Sequence, residues 1–153
     1  MRIKNIIVGL VILLFTTNLG AQERHIKEIL IDYIAMDIEF PISMDSVVFN
    51  STENENTMIV DVEKLTQFQH GLHQLIPLGP EYTNIDIRRK ITVIYSDGKK
   101  EILYADYNLI RYKGKIYLYH GVLRSIIEES IICHELDRCD RFNTPQVPQN
   151  HIE

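Results

Sequence analysis

The spacing of apolar residues changes several times along the chain, and each spacing predicts an element. In 23–38, ERHIKEILIDYIAMDI, residues Ile26, Ile29, Leu30, Tyr33 and Ile34 recur at intervals of three and four, the period of an amphipathic helix. Pro41 stops it. SVVF at 46–49 reads as a short strand, NSTENEN at 50–56 as a polar loop, and TMIV at 57–60 as a second strand. Asp61 then suits the N-cap of a helix whose stripe is Val62, Leu65, Phe68, Leu72, Leu75 and Ile76. PLGP at 77–80 ends that helix.

From residue 85 the period switches to two. Ile85, Ile87, Arg89, Ile91, Val93 and Tyr95 share one face, which is apolar except for Arg89. SDGK predicts a two-residue hairpin turn, because Asp-Gly accepts the positive φ values of a type I′ turn. The return strand is 99–105, and reversals at ADYN and at Lys113-Gly114 add LIRY and KIYLY. Segment 85–119 is thus a four-stranded antiparallel meander. A closing helix over 121–136 turns Val122, Leu123, Ile126, Ile127 and Ile131 inward. The fold class is α+β: an antiparallel sheet of four to five strands, one face covered by helices and the other more open.

The N-terminus changes the setting. Arg2 and Lys4 precede a ten-residue apolar run, Ile6 to Phe15, and a small, more polar stretch to Ala21. That is the layout of a secretory signal peptide, and the run falls short of the roughly 20 residues needed to span a bilayer. The expected organisation is a signal peptide over 1–21, one domain over 22–140 and a disordered tail over 141–153. The protein would then be exported, to the periplasm or outside the cell, with no stable membrane anchor after cleavage; an uncleaved anchor is the alternative. Cleavage removes two of 16 basic residues and none of the 21 acidic ones, taking the net charge from −5 to −7. Such a chain repels phosphate backbones, so nucleic acid is not an expected partner, and a basic protein is favoured.

In an exporting context the two cysteines, Cys133 and Cys139 in IICHELDRCD, read as one disulfide. Bridging them requires the last helix to end between them and the chain to fold back, because residues six apart in a continuous helix are separated by roughly 9 Å of axial rise, beyond the ~7 Å that a disulfide spans. A zinc reading of Cys133, His134 and Cys139 lacks a recognised spacing, and HELDR has Arg138 where a zincin motif needs its second histidine.

Three further constellations carry candidate chemistry. His70 and His73 stand three apart on the second helix and therefore share a face; with His120 they are weak candidates for a transition-metal site. Six of the eight tyrosines lie between 95 and 119. Alternation puts Tyr117 and Tyr119 opposite Ile116 and Leu118. If helices cover the isoleucine and leucine, these tyrosines, with Tyr112 and Tyr107, line an open binding face, where tyrosine is a common anchor. Glu128 and Glu129 read as solvated helix surface. The chain has no Gly-x-Ser-x-Gly elbow and no glycine-rich phosphate loop, so no catalytic residues are assigned and no cofactor is expected. The reading is a non-enzymatic, exported protein-binding domain, of the kind that serves as an inhibitor or an immunity protein. The alternatives are a small metal-dependent enzyme or metal carrier using His70 and His73, or a small-ligand-binding domain.

Overall fold

A computed structural model describes residues 24–35 and 43–143, with the side chains of the last helix described as far as Asp137. The elements are β1 (Ile26–Tyr33), α1 (Ser46–Ser51), β2 (Glu55–Ile59), α2 (Val62–His73), β3 (Ile76–Pro77), β4 (Arg89–Tyr95), β5 (Lys100–Ala105), β6 (Leu109–Tyr112), β7 (Lys115–Leu118) and α3 (Gly121–Asn143). All strands join one seven-stranded sheet in the order β2-β1-β4-β5-β6-β7-β3, and every pairing in it is antiparallel. The α+β class matches the expectation and the sheet is larger than expected; the meander expected over 85–119 begins only at Arg89, because Ile85 and Ile87 precede β4 and pack in a different cluster from Ile91, Val93 and Tyr95. The signal-peptide segment 1–21 lies outside the described residues, as does 144–153 of the tail expected over 141–153; residues 141–143 belong instead to the end of α3.

The largest correction concerns 23–38, expected to be a helix. Residues 26–33 form β1, a central strand between β2 and β4. The cause is a β-bulge. Ile26 pairs with Tyr95 and Glu28 with Ile94, so Lys27 is extra. The bulge turns Ile26 to the same face as Ile29, Ile31 and Tyr33, all buried. The inward residues are therefore spaced three, two and two, and the first interval imitates a helical period. The second correction is SVVF, expected to be a strand. Asp45 Oδ1 accepts hydrogen bonds from the amides of Val47 (2.8 Å) and Val48 (2.9 Å), and this cap nucleates α1 instead. A third concerns Ile76, which leaves the α2 stripe, pairs with Leu118 as β3 and is half exposed. Val62 and Val122, assigned inward, are exposed.

The Asp97-Gly98 hairpin is present, but its turn is longer than two residues. Tyr95 N donates to Lys99 O and Gly98 N to Tyr95 O, both at 2.9 Å, so the loop is Ser96-Asp97-Gly98. Gly98 takes the positive φ of 79°, as in a three-residue loop closed by a glycine bulge. The next hairpin, at Lys113-Gly114, does have two consecutive positive φ values, 48° and 74°.

Both faces of the sheet carry a core. On one, α2 and α3 cover Ile29, Ile31, Tyr33, Ile91, Val93, Leu103, Ala105 and Ile110. The two helices approach closely at Gly71, where an added Cβ would stand 3.0 Å from Leu123 Cβ. On the other, Ile34, Met44, Phe49, Ile85, Ile87 and Ile116 form a smaller cluster, tied by Ile87 N to Met44 O (2.9 Å) and Met44 N to Asp86 Oδ1 (2.8 Å). Beyond that cluster a cross-strand row, Met58–Leu30–Thr92–Ile102, remains partly open.

The fold-back needed for a Cys133–Cys139 bridge is not there. Helix α3 runs on to Asn143, no disulfide is found among the described residues, and Cys133 is free and exposed. The side chain of Cys139 lies outside the described residues. Six residues of continuous helix separate the two Cα atoms by roughly 9 Å along the axis, out of disulfide range.

Candidate binding cleft

The tyrosine face is the reverse of the expected one. Alternation holds, but the helices cover the Tyr117/Tyr119 side. Tyr119 is 1% exposed in the main core and Tyr117 packs half-buried against it. Ile116 belongs to the smaller cluster behind the sheet, and Leu118 is partly exposed. Tyr119 is thus a core residue in this fold. Tyr107 is half exposed, with the Arg89 guanidinium 5.1 Å from its ring centre.

Arg89, the polar exception on the β4 apolar face, is 3% exposed. Its guanidinium reaches Glu128 Oε1 and Oε2, each at 3.0 Å, and donates to Asp106 O at 3.2 Å. Glu128, assigned to a solvated surface, is therefore the counter-ion of a buried charge. Arg124, one turn earlier on α3, adds a longer contact of 3.6 Å.

Tyr112 belongs to a different constellation, at the sheet end where β4 stops, β5 starts and β6 stops. Glu101 sits at the inward phase of β5, with Leu103 and Ala105 following at intervals of two. An ionised side chain in that phase needs partners. Oε2 of Glu101 accepts from Tyr95 Oη at 3.0 Å and from Tyr112 Oη at 2.5 Å. Oε1 takes the Lys113 ammonium at 3.3 Å, and that ammonium also lies 4.7 Å from the Tyr112 ring centre. The end of α2 overhangs this group, so that Gln69, Leu72 and His73, with Arg24 from the approach to β1, complete a cleft of about 410 Å³. Arg24 is anchored there by Asp97 at 3.4 Å and by its carbonyl, which accepts from Gln69 Nε2 at 3.2 Å.

These contacts fix the charge of the cleft. Burial alone would raise the Glu101 pKa, but hydrogen bonds from Tyr112, Tyr95 and Lys113, with the Lys113 charge, outweigh it and hold the carboxyl below its ordinary value. Burial, and then the hydrogen bond to Glu101, push Tyr95 and Tyr112 well above the ordinary phenol range. Near neutral pH the group is one carboxylate gripped by two neutral phenols, and none of the three changes state there.

Of the weak metal candidates, His73 lines the cleft, whereas His70 and His120 are exposed and do not. Among the described residues no group of three or more His, Cys, Asp or Glu is placed to hold a metal ion. His134, from the cysteine segment, makes a 2.8 Å hydrogen bond between its Nδ1 and the Tyr33 hydroxyl. Glu101 was the residue that sequence reading passed over. Its signal was phase: 101, 103 and 105 fall on one side of a strand, and 103 and 105 are plainly core.

Comparison with protein-family models, with curated proteins and with solved structures finds no significant match, so the reading of this cleft rests on its own chemistry.

Proposed function

We propose that the chain is an exported, non-enzymatic domain that binds a basic protein partner, and that the Glu101 cleft receives a cationic side chain of that partner. Export is supported by the charged head and ten-residue apolar run at the N-terminus. Among the described residues no helix is long and apolar enough to cross a membrane. A basic partner is supported by the net charge of −5. The observation that carries the reading is the cleft itself: an open concavity at whose wall a carboxylate, held ionised by two tyrosine hydroxyls, already pairs with an ammonium. With Tyr119 in the core, this site replaces the Tyr117/Tyr119 face as the place of contact.

The test is capture from a native cell-envelope extract by wild type and by Glu101→Gln. The substitution keeps the shape and an acceptor for the tyrosines while removing the charge. A stoichiometric basic partner retained by wild type should be held at least about tenfold more weakly by Glu101→Gln, a loss of about 1.4 kcal/mol. Equal retention by both proteins would contradict the cleft as the contact site.

A further inference from the structure

Resting on that reading, we infer that the Glu101 seat is selective for a primary ammonium, as on a lysine side chain, over a guanidinium, and that Lys113 is a built-in competitor which a ligand must displace. The first half follows from counting acceptor sites. A carboxylate offers about two lone-pair sites on each oxygen. Both on Glu101 Oε2 are taken, by Tyr95 and Tyr112. Oε1 alone faces a cation, and it does so beside the Tyr112 ring. Arginine binds carboxylates best through two parallel hydrogen bonds, one to each oxygen; here that fork finds one oxygen already full. A compact ammonium needs one oxygen and a ring face, and both are present.

The second half follows from Lys113. Its ammonium occupies the seat, yet its side chain is 63% exposed, so it sits at the rim and can swing out. It also holds φ at 48° in a two-residue turn, a place that favours Asn, Asp or Gly. A lysine in the left-handed region is strained, and at this position it delivers an ammonium to Glu101. Once Lys113 leaves, Arg24 still shares Asp97 with Lys99, whose ammonium lies 3.8 Å from the same carboxylate oxygen, and Glu101 is the carboxylate left without its cation. Exchange of one ammonium for another leaves the balance of the cleft unchanged. The apparent affinity for an incoming amine is reduced by the fraction of time the seat is free.

The experiment compares wild type with Lys113→Asn, which suits the turn and carries no ammonium to place on Glu101. The probes are Nα-acetyl-lysine amide, Nα-acetyl-arginine amide and Nα-acetyl-norleucine amide, titrated by amide chemical shifts. Lys113→Asn should bind the lysine probe at least about fivefold more tightly than wild type does, as expected if Lys113 fills the seat about four-fifths of the time. The same variant should prefer lysine to arginine by a similar factor and should not bind norleucine. Equal lysine affinity in wild type and variant would overturn the competitor, and equal binding of lysine and arginine would overturn the selectivity. Either failure, alongside loss of partner capture in Glu101→Gln, would sink this inference and leave the proposed function standing. Undiminished capture by Glu101→Gln would sink both.

Discussion

Replacing Glu128 by alanine is expected to lower the unfolding free energy by about 3 kcal/mol, the lower end of what breaking a buried ion pair costs. The reason is the charge left behind. Arg89 is 3% exposed, and without Glu128 its guanidinium keeps the Asp106 carbonyl and the Tyr107 ring but no counter-ion. Removing the charge itself is a different change. Arg89→Met puts an unbranched apolar chain in the same space and leaves a carboxylate that is 22% exposed and has Arg124 beside it. That variant should lose less than Glu128→Ala, because the charge it leaves is partly solvated. Urea denaturation of the two single variants measures both. The ordering is the informative result: if Glu128→Ala is no more costly than Arg89→Met, the pair does not act as a buried charge and its counter-ion.

The second large effect is on the pH dependence of stability. Glu101 has a folded-state pKa below its ordinary value. Its contribution is therefore complete above the ordinary carboxylate pKa and is lost as pH falls through the lower, folded value. Tyr95, Tyr112 and Tyr119 have raised folded values, each with burial as the first cause. Their contribution is complete below the ordinary phenol pKa of about 10 and is lost as pH rises beyond it. Wild type should accordingly lose stability on both sides of a broad neutral plateau. Glu101→Gln should have a lower plateau and a shallower acid limb, because the group that titrates there is gone. Chemical denaturation between about pH 3 and pH 7 measures the limb, and an acid limb as steep in Glu101→Gln as in wild type would show that the loss arises elsewhere.

The parts of the fold that were legible in the sequence are those where a single local rule acts alone. The β4–β5 hairpin follows from strict alternation and an Asp-Gly turn, and α2 follows from its stripe and from Asp61, whose Oδ1 does accept from Lys64 N at 2.9 Å. Where two rules overlapped, the wrong one was chosen. In β1 a bulge at Lys27 gave strand residues a helical first interval. In α1 the strand propensity of two valines outweighed a cap contributed by the preceding aspartate. The site was half legible for a related reason. Period two correctly separated Tyr117 and Tyr119 from Ile116 and Leu118, but alternation does not say which face the helices cover. Arg89 stood out as a charge in an apolar phase, whereas its partner Glu128 lies 39 residues away on another element. The same phase argument, applied to Glu101, marks it as an inward carboxylate; its two tyrosines come from β4 and β6, and only the meander brings them together.

We propose that a cationic partner binds in the cleft between the end of α2 and the β4–β6 strand ends. The most direct test is amide chemical-shift mapping of wild-type protein titrated with a short polylysine peptide. The largest shifts are expected at Arg24, Gln69, Glu101, Tyr112 and Gly114, with none of comparable size in Glu101→Gln. Shifts concentrated instead on Leu30, Thr92 and Ile102, the open row behind the sheet, would contradict it.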